Sequence, residues 1–157
     1  MPAQKKRLLI VAHCPSPNTE KMVHAMLRGI KEQELDNVDV QHIPPLKAGP
    51  DDILACDAII LGTTENLGYM SGALKDFFDR SYYPVLEEKQ GLPVAAIIRA
   101  GHDGTGTKRA LETILTGLKW RWVQEPIICR GEWQEEFLQQ SEELAAAMAV
   151  ALDTGII

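Results

Sequence analysis

Three stretches of this 157-residue sequence combine residue types that can hold or move charge. The first, His13-Cys14-Pro15-Ser16-Pro17-Asn18-Thr19, runs straight into a helical pattern. Hydroxyls and amides at a helix N-terminus make an anion site, because free N–H groups and the helix dipole both favour a phosphate. The same residues also suit a plain helix start, with Ser16 as cap and Pro17 in the first helical position. Local pattern leaves those two readings level. The second stretch covers residues 62–72, long for a strand-to-helix connection, with glycines among exposed apolar residues. Its Tyr69 and Met70 can lie against a flat ring while backbone groups bond the ring edge, or can pack on neighbouring helices. The third is Ala100-Gly101-His102-Asp103-Gly104-Thr105-Gly106, whose glycines permit close backbone approach or positive φ. An imidazole titrates near neutrality, so His102, next to Asp103 in a glycine-rich loop, is the candidate catalytic residue, a proton donor.

Two phosphate motifs are excluded. Residues 101–108 nearly spell a P-loop, but Thr107 precedes Lys108 and the stretch follows the fourth strand. A GxGxxG fingerprint is absent after the first strand. Cys14 lies in the first stretch without an assured histidine partner, so it is not assigned as a nucleophile. Cys14, Cys56 and Cys129 are widely spaced and lack a CxxC, which suggests a reducing compartment and no structural metal. Trp120 and Trp122 suit packing at a helix–strand corner better than reaching a neighbouring subunit's site. His24 reads as a solvent-facing or core residue of the first helix.

The elements that must position these stretches alternate. Residues 8–12 form an apolar run expected of a strand covered on both faces. Met22, Val23, Met26, Leu27 and Ile30 recur on one helical face. Residues 38–43 alternate as a strand ended by Pro44-Pro45, and 51–55 suit a short helix. A buried strand over 58–61 is closed by Gly62, and Ser71 caps a helix that turns Leu74, Phe77 and Phe78 inward. Further strands fall at 94–98 and 126–129. The helices between and after them carry Leu111, Ile114, Leu115 and Leu118, then about 134–152. Strands alternating with helices imply parallel pairing through right-handed crossovers. The expected fold is a three-layer, doubly wound, five-stranded parallel α/β sheet of order 2-1-3-4-5, in one domain spanning 1–157. Ligands of such sheets bind outside the carboxyl ends of the strands, where the three stretches fall.

Composition narrows the partners. The chain is 45% apolar and 24% charged, with a net charge of −6 and no basic stripe. Nucleic acid needs clustered cations and is excluded as the main partner. No apolar run approaches a membrane span, and the short run after Lys5-Lys6-Arg7 is a poor signal peptide. A cytoplasmic protein is expected.

The stretch from Gly62-Thr63-Thr64 through Leu67-Gly68-Tyr69-Met70-Ser71-Gly72 to Leu74-Lys75-Asp76-Phe77-Phe78-Asp79-Arg80 resembles the ring-binding loop and helix of the flavodoxin-like superfamily. Its nearest likeness is to flavodoxins, to NAD(P)H:quinone oxidoreductases of the tryptophan-repressor-binding-protein type and to NADPH-dependent FMN reductases. His13 to Lys21 is similar to their FMN phosphate loop, and 101–106 to their third flavin loop. The resemblance implies FMN as cofactor and NAD(P)H as co-substrate. It implies that Ser16, Asn18 and Thr19, with Cys14, hold the phosphate. Thr63, Thr64, Asn66, Leu67, Gly68, Tyr69 and Met70 would line the ring and ribityl chain, and Gly101, His102 and Gly104 would close the far side. Pro15 and Pro17 depart from the family pattern. Neither has an N–H to offer, and each missing donor costs about 1 kcal/mol of phosphate binding. Glu65 is a second departure, since an acid in the ring loop disfavours an anionic reduced flavin unless it points into water.

The function expected is an FMN-binding flavoprotein, an NAD(P)H-dependent oxidoreductase that reduces a quinone-like or other small acceptor. Its alternatives are a flavodoxin-type electron carrier and a flavin-free interaction module of the same fold. A phosphate-receiving regulatory domain of this topology fails, because His13-Cys14 and Gly62-Thr63 stand where its acidic residues belong. Leu67, Tyr69, Met70, Tyr82 and Tyr83 suggest an apolar face, and with it a homodimer or homotetramer.

Overall fold

The apolar runs become a parallel sheet in the computed structural model, which describes residues 4–157. The elements are β1 (Lys6–Ala12), α1 (Pro17–Glu32), β2 (Val38–Ile43), α2 (Pro50–Ala55), β3 (Ala58–Asn66) and β4 (Tyr69–Met70). They continue as α3 (Gly72–Val85), β5 (Pro93–Ala100), α4 (Thr105–Leu118), β6 (Arg121–Trp122), β7 (Ile127–Arg130) and α5 (Glu136–Thr154). The sheet runs β2-β1-β3-β5, and both β6 and β7 lie beside β5. Counted by position, the order is 2-1-3-4-5, as expected.

Alternate residues of each strand face opposite layers, so the continuous apolar runs build two cores. Leu9 and Val11 join Ile59, Leu61, Ile98, Phe77 and Leu111 on the face covered by α2, α3 and α4. Leu8, Ile10 and Ala12 join Met22, Met26, Leu144 and Met148 under α1 and α5. The two helices cross so closely at Gly29 that a Cβ there would lie 2.5 Å from the Glu142 carbonyl oxygen. Among the described residues no helix is long and apolar enough to cross a membrane.

Two expectations are corrected. Gly62 does not close its strand: β3 continues to Asn66, turns through Leu67-Gly68 and returns antiparallel as β4, with Glu65 opposite Met70. Leu67 and Gly68 have φ of +53° and +78°, the twist that a two-residue hairpin requires. Glycine at 62 serves the sheet itself, since a Cβ would come within 2.8 Å of the Ala12 Cβ. The fifth strand is also split. Pro93 and Val94 pair with Arg121 and Trp122, whereas pairing resumes at Ile97 with Ile127. Three steps along β5 thus match five on its neighbour, and the surplus bulges out between Trp122 and Ile127.

Candidate functional site

The first loop spends most of its polarity on the helix it starts. Ser16 is the α1 cap: its Oγ accepts from Thr19 N at 3.3 Å, and Ser16 N donates to Thr19 Oγ1 at 3.1 Å. Thr19 Oγ1 also donates to the Ser16 carbonyl at 2.9 Å. These bonds form a reciprocal capping box. Glu20 N donates to the Ser16 carbonyl, and Pro17 has no donor, so Asn18 keeps the uncommitted amide of the first turn. Cys14 is half-buried with Sγ directed at the Ala12 carbonyl, which also accepts from His42 Nε2 at 3.2 Å. Burial, then the charge of Glu20, pushes the Cys14 thiol up to about 11. It is a thiol at neutral pH. Burial lowers the His13 imidazole, so that ring is neutral beside it.

The second loop is a braced hairpin. Thr63 Oγ1 accepts from Ser71 N at 3.0 Å, and Ser71 Oγ accepts from Leu74 N at 3.1 Å, which ties β3 to the start of α3. Thr64 Oγ1 donates to Asn66 Oδ1 at 2.9 Å. Leu67 at the tip is fully exposed and Tyr69 is 40% exposed. Met70 is 2% exposed and packs in the core with Leu74 and Phe77. Its side chain therefore cannot lie against a ring, and its backbone alone remains at the site.

The third loop is bound to the second. Glu65 Oε2 accepts from Gly104 N at 2.6 Å, at the N-terminus of α4, where a carboxylate meets the positive end of the helix dipole. The sequence offered water as the usual fate of this side chain; the helix end holds it instead. Gly104 has φ +76°, and a Cβ there would lie 2.6 Å from Ile128 Cγ2. At Gly106 a Cβ would meet the Gly68 carbonyl at 2.3 Å, so hairpin and loop touch directly. Gly104 and Gly106 are thus glycines for packing. Gly101 faces open space, and His102 and Asp103 are exposed.

A small depression, with room for about 20 Å³, lies at the carboxyl ends of β1, β3 and β5 beside the first loop, lined by His13, Cys14, Thr19, Thr63 and Arg99 and by the apolar Met22, Val23, Met26 and Ile97. His102 and Tyr69 stand outside its lining. A larger hollow flanks the short α2, bordered by Arg7, Asp39, Asp52 and Cys56, away from all three loops. Arg99 was not anticipated, although a lone cation in the apolar run Val94-Ala95-Ala96-Ile97-Ile98-Arg99-Ala100 was a usable signal.

A sheet wound in both directions from β1, with its loops gathered where the winding reverses, defines the flavodoxin-like class. The chain belongs to the NADPH-dependent FMN reductase family, whose pattern matches residues 6–135. It is 29% identical to a flavodoxin of Aquifex aeolicus over 112 residues, 71% of this chain and 60% of the relative. It is 28% identical to an NAD(P)H dehydrogenase (quinone) of Acidithiobacillus ferrooxidans over 93 residues, 48% of this chain and 46% of that protein. The chain thus spans about half of the length of the curated relatives it matches. Its fold superposes on a flavodoxin, WrbA-like protein from Agrobacterium tumefaciens with TM-score 0.74 and 20% identity, covering 94% of this chain and 97% of the other.

Proposed function

We propose that the chain binds FMN across the loops at the carboxyl ends of β1, β3 and β5 and passes electrons from NAD(P)H to a quinone-like or other small acceptor. The observation that carries the reading is the meeting of the three loops at the carboxyl ends of β1, β3 and β5. The donor set suits a phosphate-bearing flavin in kind, with a helix N-terminus, the Asn18 amide and a cation at one rim. When bound, the flavin supplies the hydride and electron chemistry. The chain's part is position. Ser16, Asn18 and Thr19 shape the phosphate end, with Cys14 beside them as a neutral thiol. Thr64, Asn66 and the backbone from Leu67 to Met70 present donors and acceptors toward the ring, while Gly101, His102 and Gly104 form the opposite wall. His102, exposed in its loop, is the candidate to hand a proton to the reduced acceptor.

The test is reconstitution with FMN followed by steady-state oxidation of NADH or NADPH with a quinone. Parallel-line kinetics are expected, since nicotinamide and acceptor would use one open face in turn. Turnover no faster than that of free FMN overturns the enzyme reading. The exposed hairpin tip, Leu67 and Tyr69, favours one second reading, an electron carrier that docks on redox proteins. A flavin-free module is the outcome if neither FMN nor riboflavin binds.

A further inference from the structure

Among the described residues, the outer edge of β2 pairs with no other strand. Lys6 N donates to the Asn37 carbonyl at 2.9 Å, and Lys6 stands opposite Val38 in the register. Along a strand the N–H and C=O of one residue point to one side, and those of the next residue to the other. Asn37, Asp39 and Gln41 therefore bond β1, which leaves the N–H and C=O of Val38, Val40 and His42 turned outward. Both faces beside this edge are open. A hollow of about 400 Å³ on the α2 face and one of about 450 Å³ on the α1 face each reach Asp39 and Val40. Half-buried Leu27, Leu35 and Val40 line the second. Edge strands are commonly blunted by proline, a bulge or several charges. β2 has no proline, an unbroken register with β1, and one carboxylate, Asp39.

This edge is complementary to itself. In an antiparallel pair about a two-fold axis at Val40, Val38 faces His42 of the second copy and Asp39 faces Gln41 of the second copy. Val38, Val40 and His42 are then the residues that exchange ladder bonds, about six in all. Each carboxylate meets an amide, and no like charges are opposed. An axis at Asp39 would set two carboxylates against each other, and one at Gln41 would set Val38 against Pro44, which has no N–H. We propose that two copies of this chain join β2 to β2 in the register centred on Val40, so that one sheet runs through both. The contact uses no residue of the hairpin or of α3. Residues 38–42 alone make a small contact beside the roughly 1,200 Å² that stable pairs bury, so a single such contact is weak at micromolar concentration. Where two dimers formed through Leu67, Tyr69 and Tyr83 meet, it forms twice, and the product is a homotetramer.

Sedimentation from micromolar to submillimolar concentration compares the wild type with Q41D, Q41K and Q134D. Gln41 is exposed, so its substitutions leave the fold intact, and matching denaturation midpoints check this. In the proposed register Q41D puts a carboxylate opposite Asp39 twice in each contact. The assembly is expected to lose one doubling of mass, with the association weakened about tenfold or more. Q41K puts an ammonium opposite Asp39 instead and keeps or raises the wild-type mass. Q134D adds the same negative charge between β7 and α5, away from β2, and keeps the wild-type mass. A dimer that Q41D alone dissociates also supports the edge contact. An unchanged mass in Q41D, equal losses in Q41D and Q41K, or an equal loss in Q134D overturns it. A wild type that stays monomeric at submillimolar concentration overturns it as well.

Discussion

The residues of the site divide by what already occupies their polar atoms. Thr63, Ser16 and Thr19 are committed to helix starts, so their hydroxyls reach a ligand only by sharing. Cys14 is committed by burial. Its thiol is raised from 9.0 to about 11, so the folded chain binds that proton more tightly than the unfolded one. The contribution to stability is complete below the unfolded value near 9 and is lost as pH climbs through about 11. Iodoacetamide trapping should accordingly be slow at pH 7 and accelerate only well above pH 9; rapid alkylation at neutral pH would show an activated thiolate instead. Glu65 is committed to Gly104 N. Glu65→Ala leaves a helix-end amide without its anion and is expected to lower stability by about 1–2 kcal/mol. Chemical denaturation of the flavin-free protein measures it, and a loss below 0.5 kcal/mol would make the contact incidental.

At the scale of elements, the hairpin and third loop act as one braced unit, which the residue pattern does not announce. Gly106→Ala drives a methyl into the Gly68 carbonyl, and Gly104→Ala adds an unfavourable φ to an overlap with Ile128. Each should cost about 1–3 kcal/mol, read as a shift in denaturation midpoint. The turn residue Leu67 has the opposite sign. A leucine with φ +53° and a fully exposed side chain is a poor choice for a turn in which asparagine before glycine is favoured. Leu67→Asn should therefore stabilise by up to about 1 kcal/mol. If the exposed tip serves the flavin or an electron partner, the same variant should lose activity while gaining stability. Lower stability in Leu67→Asn would mean that the backbone geometry is not the source of strain.

For the whole molecule, the apolar face expected to drive assembly is smaller than the sequence suggested. Met70 faces the core, and Tyr82 packs its hydroxyl over Gly117 of α4. What remains exposed is Leu67, Tyr69 and Tyr83, the last at 80%. A homodimer or homotetramer is still proposed, because the hairpin tip beside the site and Tyr83, near the far end of α3, both present apolar surface. Sedimentation at micromolar concentration with FMN present decides it, and a monomeric mass for the wild type would end that proposal. Tyr83→Glu should shift any dimer toward monomer without disturbing the core, since that side chain is solvent-facing.

Strand order was legible in the chain because doubly covered parallel strands must be apolar throughout, and runs such as Leu8-Leu9-Ile10-Val11 have few other uses. Helix starts were legible where cap chemistry is local, at Ser16 and Ser71. The location of the three loops followed from topology, since connections at one end of a parallel sheet must converge. Contacts between loops did not follow. Glu65 meets Gly104 across 39 residues, and Gly62 is required by Ala12 across fifty, so neither partner leaves a mark within a local window. Whether Met70 faced ligand or core turned on the hairpin, because a two-residue turn sets the register and the pleat then sends alternate side chains to opposite faces. Arg99 was visible as a residue out of place. That no carboxylate among the described residues pairs with it was decided by tertiary structure, since charge pairing depends on what the fold brings within a few ångströms.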